Sequence, residues 1–357
     1  MRWGAALPQQ GHTVFEVDSR LVGSRRGSQI SSMREARIKI DPKCAEAVYH
    51  CVSKAVAAEW LFDDVSKEVF RRQLWRAADY CGVQVITHAL LSNHFHVVIR
   101  VPVLALVPDS ELLRRYALYR DLSKNDDRAR MTTLRAQLAA NGPKADHWRR
   151  QQLAQMGDIS SFMKKWKQRF SQWFNRNHRR IGTLWASRFT SILVQPTGFA
   201  TETVSAYADL NPVRAGIVTD PKDYRFCGYA EAVSGQARAR AGIGSLYPSL
   251  RWREVQERYR LALFAIGADV RKGKASIPLK DYKRVREEKG RLEPSELLLH
   301  RIRHFVHGGV LGSRAFVEEQ LAAFERRTRE RPRTRPRTLG FGDQELYVMR
   351  NVRDRAA

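Results

Sequence analysis

The sequence predicts an α+β fold: a ferredoxin-like antiparallel sheet with helices on it, followed by a mainly helical, basic C-terminal domain. Three observations predict it. Strand-like and helix-like periodicities alternate from residue 47 in the order strand, helix, strand, hairpin, strand. A second helix and a further strand follow after a polar interruption at 104–158. Beyond Val233 the composition shifts to Gly, Ala, Ser and Arg, and the remaining chain has helical, basic character.

Residues 1–34 are rich in Gly, Ser and Arg with little periodicity and read as a disordered basic arm; Met33 is a candidate start, with order beginning at Ala36–Asp41. Ala47–Val56, rich in Val, Tyr and His, reads as a strand. A helix follows at Ser66–Cys81, where Phe70, Leu74, Trp75 and Ala78 share a face and Gly82 is the stop. Val83–Leu91 and His94–Val101 read as strands joined through Ser92-Asn93. Within the 104–158 insertion, Glu111–Leu122 and Arg128–Gln137 are helix-prone, and Asn141-Gly142-Pro143 is a break. Ile159–His178 is a basic, aromatic helix, Gly182–Val194 returns to strand character, and Phe199–Asn211 is helical with Pro212 and Gly216 beyond it. A domain boundary is expected at 235–245, with 246–357 as the C-terminal DNA-binding domain and an Arg/Pro/Thr arm at Arg326–Arg337.

The charge narrows the partner. Sixty-three Lys and Arg stand against 37 Asp and Glu, a formal net charge of +26. Such an excess favours a polyanion, through attraction and counterion release from phosphates. No run of 18 apolar residues and no basic amphipathic helix with a dedicated apolar face is present, which argues against a membrane. Cys44, Cys51, Cys81 and Cys227 lack zinc spacing and read as buried thiols of a reducing compartment. With no secretory h-region at the N-terminus, a cytoplasmic, nucleoid-associated location is expected.

Two motifs carry chemistry. In His94-Phe95-His96 the strand period puts both imidazoles on one face, a spacing that suits a divalent metal. In Tyr207-Ala-Asp-Leu-Asn211, residues i and i+4 share a helix face, so an amide oxygen lies one turn from a phenol able to act as a covalent nucleophile. Taken singly, a His-x-His on a strand is more often structural, and a helix tyrosine more often packs. His88 could share the face of His94 but reads as a core histidine, and Asp209, on another face of its helix from Tyr207, reads as a salt bridge or cap.

Together the motifs resemble a known family. Leu91-Ser-Asn93-His94-Phe-His96-Val-Val is similar to the histidine–hydrophobe–histidine signature of the single-tyrosine HUH transposases. Tyr207-Ala-Asp-Leu-Asn-Pro-Val-Arg-Ala-Gly-Ile-Val218 resembles the tyrosine helix of the REP-associated tyrosine transposases. Asp220–Tyr229 is similar to the segment that follows that helix, and Gly182–Phe189 to the strand motif before it. The resemblance covers residues 36–233 with gaps; Ser92 replaces a more usual Pro. It implies an HUH domain over 35–235 with the tyrosine helix beside the sheet. It also implies a divalent metal, Mg²⁺ or Mn²⁺, held by His94, His96 and Asn211, and attack by Tyr207 to leave a 5′-phosphotyrosine and a free 3′-hydroxyl. Strand transfer would follow by reversal, on single-stranded DNA bearing a hairpin or palindrome.

Lys164, Lys165, Arg169, Arg176, Arg179 and Arg180 are candidates to track a DNA backbone outside an aromatic helix face, and Arg188 and Arg214 to contact phosphate at the site. A monomer is favoured, with a dimer exchanging the tyrosine helix as the alternative. Two rival readings are a relaxase or replication-initiator type of HUH nuclease, against which the Asn-Pro-Val-Arg-Ala-Gly context argues, and a non-catalytic nucleic-acid-binding descendant, against which the intact His94, His96, Tyr207 and Asn211 argue.

Overall fold

The computed structural model describes residues 46–56, 61–102, 106–120, 125–268 and 273–292, and short segments between 309 and 350. The expected N-terminal arm, Met33 and most of Arg326–Arg337 lie outside the described residues. The chain runs β1 (Glu46–Lys54), α1 (Asp64–Cys81), β2 (Gln84–Leu90), β3 (His94–Pro102), α2 (Asp109–Arg120), α3 (Asn125–Ala139), α4 (Pro143–Leu153), α5 (Ile159–Asn177), β4 (Thr190–Val194), α6 (Phe199–Asp209), α7 (Asn211–Arg214), α8 (Gly228–Val233), α9 (Ala237–Gly244), α10 (Trp252–Gly267) and α11 (Leu279–Glu287).

The fold is α+β. Four antiparallel strands form a sheet in the order β2-β3-β1-β4. Local signals start and stop its helices, Gly82 as the sequence suggests. Asp63 accepts the Ser66 N–H at the start of α1, Gly82 ends that helix at φ 65°, and Asp158 accepts the Ser161 N–H to start α5.

Strand alternation divides the sheet into two faces. Phe95, Val97 and Ile99 point to one, where the Phe95 ring lies 5.2 Å from Phe70 of α1 and 4.6 Å from Trp166 of α5. Val48, Val98 and Val194 point to the other, where Ala200, Val204 and Ala208 of α6 cover them at helical i, i+4, i+8 spacing. Histidines 94 and 96, in register with Lys54 and Val52 of β1, belong to this second face.

The edge strand β2 is capped by α8 and α9, and two glycines permit the approach. A Cβ on Gly228 would lie 2.2 Å from Thr87 Oγ1, and one on Gly242 would lie 2.2 Å from the Val85 carbonyl oxygen.

Several expectations change. Residues 182–189 form no ladder beyond a single bridge from Trp185 to Ala55; Trp185 turns inward instead, its ring 5.6 Å from Phe70 and its Nε1 donating to Ser171 Oγ at 2.8 Å. The Asn-Gly-Pro break is followed by a further helix, α4, with Pro143 at its first turn, where a missing N–H costs nothing. The core does not stop near 235–245: Val255, Tyr259, Leu263, Phe264, Ile277 and Val285 belong to the same hydrophobic cluster as α1, α5 and the sheet. The C-terminal region also contains strands, β5 (Gly309–Gly312), β6 (Arg337–Thr338) and β7 (Tyr347–Arg350), paired in the order β5-β7-β6. Runs of four, two and four residues are too short to show a periodicity. Among the described residues no helix is long and apolar enough to cross a membrane.

Candidate active site

His94 and His96 open β3, and their rings lie 5.3 Å apart. Tyr207 comes to them from α6. Its ring centroid is 5.8 Å from His96 and 5.9 Å from His50, both edge-on. The placement follows from helix geometry. Tyr207 and Asp209 are two residues apart, so they point about 200° away from each other. Asp209 is fully buried and accepts from Thr87 Oγ1 at 2.8 Å, the Tyr229 N–H at 3.1 Å and Tyr259 Oη at 2.7 Å. That carboxylate ties α6 to β2, α8 and α10 at once, and so turns Tyr207 outward over the histidines, 36% exposed. The expected cap at Asp209 exists, on α8, but no salt bridge accompanies it among the described residues.

His50 of β1 belongs to the site and carries no signal in the sequence. Its Nε2 is 3.0 Å from His96 Nδ1, and the two rings stack with centroids 5.2 Å apart. The Nδ1 of His94 is similarly engaged, 2.6 Å from the Asn93 side-chain oxygen. With both Nδ1 atoms held, each histidine of the His-Phe-His motif presents Nε2 as its remaining donor. Burial lowers the pKa of His50 and His94 to about 4, with Lys54 and then Lys274 adding to the effect on His94. Burial, then the neighbouring His94 and His50, hold His96 well below the usual range. At neutral pH all three rings are therefore uncharged, the form that binds a metal.

Asn211 lies at the junction of α6 and α7. Pro212 has no N–H, so the Ala208 carbonyl lacks its helical partner. The Asn211 Nδ2 fills that gap, donating to Ala208 at 3.2 Å and to the Tyr207 carbonyl at 2.9 Å. This fixes the amide and leaves its Oδ1 as an oxygen donor one turn from the phenol. The helix is not continuous through Asn211: α6 ends at Asp209 and α7 begins at Asn211.

The donor set fits a divalent ion of intermediate hardness, with two neutral imidazoles and a carbonyl-type oxygen. Among the described residues no three His, Cys, Asp or Glu side chains form a complete metal shell, so the amide of Asn211 and solvent would have to finish it. Lys54 faces His94 across the β1–β3 ladder and Lys274 acts on the same histidine, giving the site a positive rim.

The remaining sequence candidates separate. His88 points to the opposite sheet face, edge-on to Trp75 at 5.8 Å and 3.7 Å from Glu231, so it is no part of the site. Arg214 is buried and donates to the Ile266 carbonyl at 2.9 Å. It joins α7 to α10, a structural role that its sequence position did not suggest. Arg188 is exposed just before β4. Lys164, Arg176 and Arg179 are exposed, and Lys165, Arg169 and Arg180 half-buried. Lys165, Arg169 and Arg176 lie on the outer side of α5, while the α5 side chain Trp166 meets the Phe95 face of the sheet.

No family model and no curated protein matches the chain. Among solved structures it is similar to a REP-associated tyrosine transposase bound to a REP hairpin. The two share 14% sequence identity at a TM-score of 0.36, over 57% of this chain and 87% of that one. The likeness is distant, and the functional reading rests on the side-chain geometry of this chain.

Proposed function

We propose that the protein cuts and rejoins single-stranded DNA through a covalent bond to Tyr207, as a transposase or a related DNA nickase–ligase. The observation that carries this reading is the approach of Tyr207, the one exposed aromatic ring of the cluster, to within 6 Å of His96 and His50 on the sheet. The strand order β2-β3-β1-β4, with α1 and α5 on one face, is that of a ferredoxin-like palm and supports the same reading.

In this reading His94, His96 and Asn211 hold a divalent cation, Mg²⁺ or Mn²⁺. When bound, such an ion polarises the phosphate and neutralises charge that develops on it. The chain supplies the rest. Lys54 and Lys274 attract the phosphodiester to the rim, and Asp209 holds α6 so that the Tyr207 hydroxyl faces it. The phenol oxygen attacks phosphorus, the P–O3′ bond breaks, the phenol proton is released and the departing oxygen takes up a proton as a 3′-hydroxyl. One phosphodiester is exchanged for another, so no nucleotide hydrolysis is required. Attack by another 3′-hydroxyl reverses the step and joins strands.

The test is direct. The wild-type chain, incubated with Mn²⁺ and a 3′-labelled hairpin with single-stranded flanks, is expected to give a denaturant-resistant protein–DNA adduct that carries the label. Tyr207→Phe is expected to give none, because it keeps the ring and removes the nucleophile. An adduct that persists in Tyr207→Phe, or its absence from the wild type, would remove the proposal.

A further inference from the structure

The outer side of the helical layer carries a groove unrelated to Tyr207. It has a volume of about 600 Å³ and is formed by α1, the end of α2 and α5. Among the described residues, Arg72, Arg76, Arg120, Lys165, Arg169 and Arg176 line it, the other polar groups apart from a tyrosine and a tryptophan are glutamines, and no Asp or Glu is among them. The sequence arranges this by helical spacing. Arg72 and Arg76 are one turn apart on α1, and Lys165, Arg169 and Arg176 form a stripe along α5. The two helices bury their aromatic faces against the sheet and turn these stripes outward together.

The cations are crowded and partly fixed. Lys165 Nζ lies 4.6 Å from the centre of the Tyr80 ring and 4.9 Å from that of Tyr119, and Arg169 lies over Tyr119 at 5.1 Å and donates to its carbonyl. Burial, more than the neighbouring charges of Lys164 and Arg120, lowers the Lys165 pKa. Arg72 lies 3.8 Å from Glu68, which also takes two hydrogen bonds from Arg71 and one from Arg225. Arg72, Arg120 and Arg176 are exposed.

We infer that this groove binds the sugar–phosphate backbone of DNA outside the segment that is cut. The inference rests on the DNA-processing reading for its choice of polyanion. The α5 stripe is about 16 Å long at 1.5 Å per residue, which matches about five phosphates of one strand counted at 3.4 Å of duplex axis each. That is longer than a single anion needs. Arginine forks and glutamine amides suit phosphate oxygens and read no base. The groove is concave, which fits a chain better than a bilayer. It opens beyond α1 and α5, on the side of the sheet away from the tyrosine helix, so it holds a different stretch of DNA from the one under attack.

The experiment measures binding without chemistry. In a Tyr207→Phe background, anisotropy of a fluorescent hairpin with single-stranded flanks is titrated from 50 to 250 mM KCl. Adding Arg72→Gln, Arg120→Gln and Arg176→Gln is expected to weaken binding about tenfold or more at 100 mM salt. The log–log salt slope is expected to become shallower by about 2, from 0.7–0.9 per lost phosphate contact. The matching Lys triple (R72K, R120K, R176K) keeps the charge and is expected to restore the slope, which separates lost contacts from lost folding. Unchanged affinity and slope in the Gln triple overturn the inference. So does displacement of the hairpin by poly-glutamate as effective as that by unlabelled DNA, which would identify an acidic polypeptide as the occupant. Failure of the wild-type chain to form an adduct would remove the tyrosine chemistry and leave this measurement intact.

Discussion

His96 is held at both ends of its chemistry: its Nδ1 meets His50, and its ring edge faces Tyr207. A partner on Nδ1 fixes ring orientation and tautomer, and loss of such a partner typically lowers metal affinity about 10–100-fold. His50→Phe is therefore expected to weaken Mn²⁺ binding by about that factor, followed through the free Mn²⁺ electron paramagnetic resonance signal. His50→Gln, whose amide can pair with Nδ1, is expected to recover most of the affinity. Equal Mn²⁺ affinity in the wild type and His50→Phe would show that the contact is only packing. At this scale the sequence was partly legible. His94, His96, Tyr207 and Asn211 lie in two short motifs whose spacing puts each pair on one face, though neither motif alone singles out a site. His50 was invisible because it meets His96 across a strand pairing 46 residues apart, and register cannot be read from one strand. The bond from Arg214 to α10 was invisible for a related reason: proximity to Tyr207 in sequence says nothing of α10.

Element α6 is positioned by its packing on the sheet and by the buried carboxyl group of Asp209. Replacing it with Ala leaves Thr87 Oγ1, Tyr259 Oη and the Tyr229 N–H without that acceptor. Orphaned buried donors cost about 1–3 kcal/mol each, so Asp209→Ala is expected to destabilise the fold by about 3 kcal/mol or more by urea unfolding. It is also expected to reduce adduct yield in protein still folded, because Tyr207 loses its fixed presentation; a yield per folded molecule equal to wild type would show that α6 is held otherwise. The α9–β2 contact makes a second prediction. A methyl on Gly242 meets backbone carbonyl oxygens that cannot swing away, so Gly242→Ala is expected to cost about 1–3 kcal/mol in the same measurement. Elements with strong periodicity and caps, such as α1, β3 and α5, were legible. Residues 182–189 were not, because an aromatic and β-prone segment reads as a strand whether its tryptophan lies in a ladder or in a core.

For the whole molecule, the net charge of +26 is spread so that positive groups border both the tyrosine site and the outer helical groove. The interior is organised around neutral histidines, and that sets how the fold responds to acid. His88 is fully buried, and burial, ahead of the opposing effects of Glu231 and Arg71, lowers its pKa to about 4. His50 and His94 are lowered to about 4 as well, and His96 in the same direction. For each, the unfolded chain binds the proton near pH 6.5 while the folded chain resists it, so stability is lost as pH falls from about 6.5 towards 4. Asp209 has the opposite sign. Burial raises its pKa to about 6, so it costs stability as pH rises from about 4 to 6. Four histidines against two raised carboxylates, Asp209 and Asp79, make the net effect acid-sensitive in this window, above the range of ordinary carboxylates. The unfolding free energy from urea titrations is thus expected to fall steadily between pH 6.5 and 4.5. His88→Phe, a ring replacement beside Trp75 and outside the tyrosine site, should lessen the steepness by up to about 1.4 kcal/mol per pH unit, one proton's worth. A profile flat down to pH 5, or a slope unaltered by His88→Phe, would mean that the buried histidines do not govern acid unfolding.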